Sequence, residues 1–335
     1  MKELKNDKID RMSNFGQREP ARRARNRIAS SNEVKITLQD ILVLGERDFR
    51  KAKLYFGHGT DNAWDDAVAI VRYVLQLPPD IDAIVLERKL TVEECEQIRA
   101  LFEQRIETRI PVPYLTHEAY FMGLPFYVDE RVLIPRSPFA ELIEKQFAPW
   151  ANGLQVKNIL DIGTGSGCMA IACALAFPKA QVDAVDISQD ALEVAKINVA
   201  KYQLNDRVHL IQSDVFSTIP TSTYDVIISN PPYVGEEEMA SLPKEYAHEP
   251  VLALAAGVNG LDVVEKILAE AKAHLTKNGL LFIEVGNSEE ALVERFPNMP
   301  FLWLEFEQGG GGVLLLARVH IPFNLIPNLL QCFDK

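Results

Sequence analysis

The sequence predicts an α/β fold: a mostly parallel, doubly wound sheet with helices on both faces, preceded by a small helical domain and a β-hairpin linker. Three observations predict it. From Val156 onward, short apolar β-branched runs alternate with segments of helical period, and that alternation calls for parallel strands joined by crossover helices. Between about Thr37 and Glu107 the apolar period is helical throughout. Between these regions, "AYFMGLPFYVDERVLIP" alternates as paired strands do.

Taken in order, "DNAWDDAVAIVRYVLQLP" offers Asp61 and Asn62 as caps. It sets Ala63, Ala67, Ile70, Val71, Val74 and Leu75 on one stripe and stops at Pro78. "LTVEECEQIRALFEQRIETRIP" places Thr91 three residues before Glu94, a capping box, and is expected to end at Pro111. The hairpin is expected to turn at Asp129-Glu130. Then follow strand "KNILDIG", helix "SGCMAIACALAF", strand "AQVDAVDIS", helix "SQDALEVAKINVAKYQL", and strands "RVHLIQSD" and "YDVIISN". A helix near Leu261–Leu275 precedes strands "GLLFIEVG", "FLWLEFE" and "GVLLLARV". The right-handed crossover rule puts the first of these strands near the sheet centre. The expected divisions are a basic leader at 1–35, a helical substrate-recognition domain at 36–118, a hairpin linker at 119–136, the sheet domain at 137–322 and a tail at 323–335.

The composition, 47% hydrophobic and 24% charged, is that of a globular protein. No apolar run is long enough to span a bilayer and the first residues are not signal-like, so a cytoplasmic protein is expected. Cys95, Cys168, Cys173 and Cys332 lack any Cys-x-x-Cys spacing and read as reduced thiols rather than a disulfide or zinc framework. The net charge of −12 opposes broad nucleic-acid binding. The first 30 residues run the other way, with nine basic against four acidic side chains. That leader reads as a frayed terminus or as an arm touching RNA.

In doubly wound sheets the ligand lies at the carboxyl ends of the strands, near the switch point. The first strand ends in Asp161-Ile162-Gly163-Thr164-Gly165-Ser166-Gly167. Its glycines permit a tight turn and close approach of a ligand to the backbone at a helix N-terminus. The spacing is G-x-G-x-G, not the dinucleotide G-x-G-x-x-G, and no Lys stands beside Thr164 and Ser166 as a phosphate loop would require. The second strand ends at Asp186, whose carboxylate suits a ribose diol; its bland alternative is a helix cap, but Ser188 and Asp190 lie closer to the next helix. The third ends at Asp214-Val215-Phe216. Asp214 reads either as an acceptor for an adenine amino group, with Val215 along the ring, or as a solvated turn residue. This series resembles the class I methyltransferase fold over roughly 157–319. The resemblance implies a Rossmann-like sheet of seven strands with an antiparallel last one, S-adenosyl-L-methionine as cofactor, S-adenosyl-L-homocysteine as product, and no metal.

The fourth strand ends in Asn230-Pro231-Pro232-Tyr233. A given four-residue string of this kind arises by chance roughly once in a thousand chains of this length, so it is far more specific than the glycines. It resembles the motif of methyltransferases acting on planar amino or amide nitrogens. An amide nitrogen is a poor nucleophile because its lone pair is delocalised into the carbonyl. Its N–H groups must be engaged by fixed acceptors: the Asn230 side-chain oxygen and the Pro231 carbonyl, whose direction Pro232 restricts. The Tyr233 N–H suits the substrate carbonyl and its ring suits the planar group. Catalytic roles are thus expected at Asn230, Pro231 and Tyr233, and substrate contacts at Asn230, Pro231, Pro232 and Tyr233.

Adenine in DNA and a glutamine amide both offer such a nitrogen. The net charge and Glu236–Glu238 just past the corner disfavour a phosphate backbone and suit a basic protein; the same glutamates also read as an ordinary solvated loop. "LIPRSPFAELI", "SNPPYV", "YAHEPVLALAAGVNGLDVVEKIL" and "IEVGNSE" together resemble the protein glutamine methyltransferase family over about 54–319. "YFGHGTDNAWDDA", "VDERVLIPRSPFAE" and "LPKEYAHEP" resemble its branch that modifies the third protein of the large ribosomal subunit. The release-factor branch carries Pro-Arg-Pro-x-Thr-Glu at the hairpin exit. Here Pro135-Arg136-Ser137-Pro138-Phe139-Ala140-Glu141 is one residue longer and lacks the Thr.

The resemblance implies cofactor contacts at Asp161, Gly163, Thr164, Gly165, Ser166, Gly167, Asp186, Asp214, Val215 and Asn230. It implies as partner a ribosomal protein substrate, free or in an assembling large subunit, with no membrane and no specific DNA binding. The alternatives are a release-factor glutamine methyltransferase, an adenine-N DNA methyltransferase and a non-catalytic ribosome assembly factor.

Overall fold

A computed structural model of the chain describes residues 36–78, 83–219, 223–307 and 309–322. The leader at 1–35, the tail at 323–335 and Cys332 lie outside the described residues. Three helices open the fold: α1 (Leu38–Lys51), α2 (Ala63–Leu75) and α3 (Val92–Thr108). Each starts at a polar cap. Asn62 caps α2, and reciprocal capping boxes, Thr37 with Asp40 and Thr91 with Glu94, start α1 and α3. Their apolar stripes bury one another in a core of their own, including Ile41 and Phe49, Ala67 and Ile70, Ile98 and Phe102. Phe49 meets Phe102 edge-on at 5.1 Å. Val74 and Leu75, at the far end of the predicted stripe, are only partly buried.

Two boundaries move from their expected places. Helix α3 stops at Thr108, with Arg109 left-handed, and Pro111 opens the short α4 (Val112–Thr116) instead of ending α3. A residue with no N–H and a fixed φ suits a helix start, where that donor would be unpaired anyway. The hairpin pairs β1 (Ala119–Phe121) with β2 (Leu124–Phe126) and turns at Met122-Gly123, not at Asp129-Glu130. Both turn residues have positive φ, 52° and 71°, the geometry whose twist matches that of two paired strands. Asp129 makes a separate turn, accepting from the Arg131 N–H at 3.1 Å and from its guanidinium at 2.9 and 2.6 Å.

After α5 (Phe139–Glu144) come β3 (Asn158–Ile162), α6 (Cys168–Ala176), β4 (Gln181–Asp186), α7 (Gln189–Lys201), β5 (Val208–Gln212) and β6 (Tyr224–Ser229). Then follow α8 (Glu236–Ser241), α9 (Asp262–His274), β7 (Leu275–Glu284), α10 (Glu289–Arg295), β8 (Leu302–Trp303) and β9 (Val313–Ala317). The seven-stranded sheet has the order β5-β4-β3-β6-β7-β9-β8. Strands β3 to β7 run parallel, and β9, the last strand, is antiparallel to both its neighbours. The expected topology is therefore present, with β3 inside the sheet and the strand order reversing between β3 and β6. Successive residues enter opposite cores, as a period of two demands: Ile159, Val226 and Phe282 on one face, Leu160, Ile227 and Ile283 on the other. Of "FLWLEFE" only Leu302 and Trp303 pair, at the sheet edge. Strand β7 starts early, at Leu275, through an irregularity opposite Tyr224 and Val226.

Cys95, Cys168 and Cys173 are buried free thiols, and burial pushes Cys168 up to about 12. No described helix is long and apolar enough to cross a membrane.

Candidate active site

The loop after β3 is pinned to β4: the Gly163 and Thr164 N–H groups both donate to the Val185 carbonyl at 2.9 Å. Gly163 has φ 72°. A Cβ there would lie 3.8 Å from the Asn230 carbonyl oxygen and 4.0 Å from Pro231 Cα. The glycine loop and the Asn-Pro-Pro-Tyr corner thus face each other across the switch point. Ser229 closes the same seam, its hydroxyl donating to the Ile162 carbonyl at 2.8 Å.

Asp161 lies wholly buried beneath this loop. Its Oδ2 accepts from Thr164 Oγ1 at 2.7 Å and from the Ala170 N–H at 3.1 Å. Its Oδ1, like the hydroxyl of Ser166, is buried with no partner among the described residues. Burial pushes this carboxyl up to about 7. Asp186 accepts from the Gly165 N–H and the Ser188 N–H, each at 2.9 Å, and burial raises its pKa in spite of those bonds. Ser188, not Asp186, caps α7. Asp214 is exposed, and Lys266 of α9 reaches its two oxygens at 3.2 and 2.9 Å. Val215 is buried at φ 52°, a conformation that costs a β-branched residue of order 1–3 kcal/mol and clusters at functional sites.

The corner combines held and uncommitted polar groups. Among the described residues, the Asn230 side chain, the Pro231 carbonyl and the Tyr233 N–H make no hydrogen bond. Everything else about Tyr233 is held. Its carbonyl accepts from Ser288 Oγ at 2.7 Å and its hydroxyl reaches Glu284 at 3.3 Å. Its ring lies on Gly286 (φ 46°), where a Cβ would come within 2.5 Å of the ring. Val234 then pairs with the 254–256 segment, donating to the Leu254 carbonyl at 2.8 Å. Glu236 to Glu238 form not a loop but the first turn of α8, and Glu238 accepts from Asn287 at 2.8 Å.

Several buried polar residues escaped sequence reasoning because nothing local marks them. Glu249 is fully buried at its side chain and takes Arg136 in a two-pronged pair at 2.6 and 2.7 Å, plus the Ile134 N–H at 3.1 Å. Glu245 joins the helices to the sheet unit by accepting from the Tyr55 N–H at 2.9 Å and from Arg109 at 3.1 Å. Arg105, itself paired with Asp66 at 3.1 Å, stands 3.8 Å away. Between these pairs His58 packs on the Tyr246 ring at 4.5 Å. It sits 3.7 Å from Glu249, beyond hydrogen-bond reach, and burial pushes the imidazole down to about 4, so it is neutral at pH 7. Asn198 ties the linker to the glycine loop, donating to the carbonyls of Tyr127 and Ser166 at 2.9 Å each. The only signal was the polar residue itself, set at the end of an apolar run or inside a helical stripe.

The strand order, the antiparallel last strand and the glycine loop facing the Asn-Pro-Pro-Tyr corner define a class I methyltransferase. A profile of the methyltransferase small domain matches residues 143–249. A ribosomal protein uL3 glutamine methyltransferase of Bordetella pertussis is 46% identical over 85% of this chain and 96% of its own length. One from Francisella tularensis is 46% identical over 84% of this chain and 90% of its own. The chain belongs to the ribosomal protein uL3 glutamine methyltransferase family. A solved methyltransferase from Pyrococcus furiosus aligns over 67% of this chain and 98% of its own at 21% identity and a TM-score of 0.42.

The residues present fit S-adenosylmethionine. A Cβ at Gly165 would project into open space. Below it lie the unpartnered Asp161 Oδ1 and Ser166 hydroxyl, which suit a cationic amino acid group, and Asp186 stands beside them to take a diol. Asp186→Ala is expected to weaken S-adenosylmethionine binding by about 2–3 kcal/mol, the loss of two charge-assisted hydrogen bonds. Calorimetry showing unchanged affinity would remove Asp186 from the cofactor site.

Proposed function

We propose that this protein transfers the methyl group of S-adenosylmethionine to the side-chain amide nitrogen of a glutamine in ribosomal protein uL3. The observation that carries the reading is the corner at 230–233, whose two acceptors and one donor sit on a proline-restricted turn and bond to no described residue. They match the two donors and one acceptor of a primary amide. Family membership names the amide's owner.

When bound, S-adenosylmethionine supplies an electrophilic methyl group. The Asn230 oxygen and the Pro231 carbonyl take the two amide N–H groups, and the Tyr233 N–H takes the amide carbonyl. Acceptors held rigid before reaction stabilise the positive charge that grows on nitrogen. Because proton loss can follow transfer, no strong base is required, and most of the acceleration comes from alignment. The cofactor roles fall to Asp161, the loop 163–167, Asp186, Val215 and, at the rim, Asp214. No metal enters this scheme.

Residues 36–118 act as the unit that holds the protein substrate, 119–136 as linker and 137–322 as the catalytic unit, working in the cytoplasm. The Glu236–Glu238 turn adds a salt-sensitive attraction to a basic substrate. The test is a competition with purified enzyme, labelled cofactor, unassembled uL3 and a peptide-chain release factor in one tube. Label is expected on uL3, less of it as salt is raised. Label mainly on the release factor would overturn the substrate, and label on duplex DNA would overturn the amide reading.

A further inference from the structure

We infer that Glu284, backed by Ser137, is a positioning residue that fixes the Tyr233 ring in the orientation the amide-binding corner requires. The inference rests on reading that corner as the methyl-acceptor site. Glu284 is the last residue of β7 and is 6% exposed. Because Ser229 pairs with Ile283 in the parallel register, Glu284 stands one step further on, level with Asn230. Its Oε2 accepts from Ser137 Oγ at 2.5 Å and its Oε1 from the Tyr233 hydroxyl at 3.3 Å.

A carboxyl in such a place is costly unless its hydrogen bonds repay desolvation. The nearby cation does not do so directly, since Arg136 commits both its terminal nitrogens to Glu249. What Glu284 does touch is the tip of Tyr233. The backbone of Tyr233 is fixed by Ser288 on its carbonyl and by Gly260, which crowds that same carbonyl so closely that no side chain fits. Gly286 supports one side of the ring. The phenol hydroxyl is the remaining handle, and Glu284 is the group that holds it. Ser137 belongs to the hairpin exit, so it connects the chain that enters the sheet unit to the corner.

The carboxyl is also poised to titrate. Burial pushes it up to about 7, against the bonds from Ser137 and Tyr233 and the charge of Arg136. The groups that face it are Arg136 and Ser137 from the hairpin exit and Tyr233 from the corner, with Glu249 and Tyr246 behind Arg136. Ionised, it accepts from Ser137 and Tyr233 together. Protonated, one oxygen becomes a donor and one of those bonds must rearrange. Tyr233 is therefore best ordered above about pH 7.

The experiment measures kcat and KM for unassembled uL3 against pH, and cofactor affinity by calorimetry, for the wild type, Glu284→Gln, Tyr233→Phe and the double variant. At saturating S-adenosylmethionine, which removes any contribution of Asp161 to cofactor binding, wild-type kcat/KM for uL3 should rise with an apparent pKa near 7. Glu284→Gln should lower kcat/KM about tenfold, the scale of one hydrogen bond to a charged group, erase that rise and leave cofactor affinity within about twofold. The double variant should be no worse than Tyr233→Phe, since without the Tyr233 hydroxyl the side chain at 284 has nothing to hold. An unchanged pH profile in Glu284→Gln, activity near wild type, or additive losses in the double variant would each overturn the inference. Should Glu284→Gln fold poorly, Ser137→Ala removes the support from the opposite side, and a kcat/KM equal to wild type there overturns it as well. Inactive Asn230→Ala beside fully active Glu284→Gln would fail only the positioning role. Active Asn230→Ala would fail the corner reading itself.

Discussion

Asn230→Ala is expected to lower kcat by ~10²–10³-fold while the protein stays folded, the scale seen when one preorganised polar partner of a developing charge is removed. The Asn230 side chain makes no hydrogen bond to a described residue, so its loss breaks no hydrogen bond of the corner. The prolines behind it and the Ser229 bond to Ile162 remain. The effect should fall on turnover far more than on cofactor affinity, because the oxygen matters most as positive charge grows on the substrate nitrogen. Single-turnover rates at saturating cofactor and uL3 give the number. A rate within about threefold of wild type would show that the Asn230 oxygen is not an acceptor in the transition state.

The largest stability loss is expected from Glu249→Ala, about 3–5 kcal/mol. Its carboxylate is fully buried and satisfies Arg136 twice and the Ile134 N–H once. Truncation leaves a mostly buried guanidinium over the Tyr246 ring without its anion, and an unpaired buried charge costs far more than the intact pair contributes. Glu249→Gln, which keeps acceptor capacity but loses charge, should cost less. Removing both charges with Arg136→Met and Glu249→Leu should recover much of the loss. Urea unfolding followed by fluorescence and by circular dichroism would check this. A Glu249→Ala midpoint that matches wild type would mean that the pair holds nothing together. Coincident curves for the two probes would show that the helices and the sheet unit unfold as one, as the pairs running between them suggest.

The order of elements was legible in the sequence because each carries its own signal. Thr91 with Glu94, Asn62 ahead of Ala63 and Ser188 ahead of Gln189 are local caps, and a cap forms wherever its helix does. The alternation of strand and helix from Val156 fixed a parallel sheet, since no other arrangement buries both faces. The positions of the glycine loop, Asp186 and the Asn-Pro-Pro-Tyr corner at strand ends were readable too, because each is a contiguous stretch that follows an apolar strand. Short-range competition misled where two signals met. Asp129-Glu130 looks like a turn and is one, but Met122-Gly123 supplies the left-handed pair that a tight hairpin needs.

What only the tertiary structure decided lies in contacts between distant residues. Glu284 meets Ser137 across 147 positions, Arg136 meets Glu249 across 113, and Tyr55 meets Glu245 across 190. In the sequence none of these residues names its partner, because neither burial nor a pairing partner is a local property. The sequence by itself determined a methyltransferase sheet and the Asn-Pro-Pro-Tyr corner at the end of its fourth strand. Packing decided which carboxyls are buried, which of them stand near neutrality at pH 7, and what holds Tyr233 in place. Desolvation and long-range pairing set those outcomes, and both exist only once the chain has closed on itself.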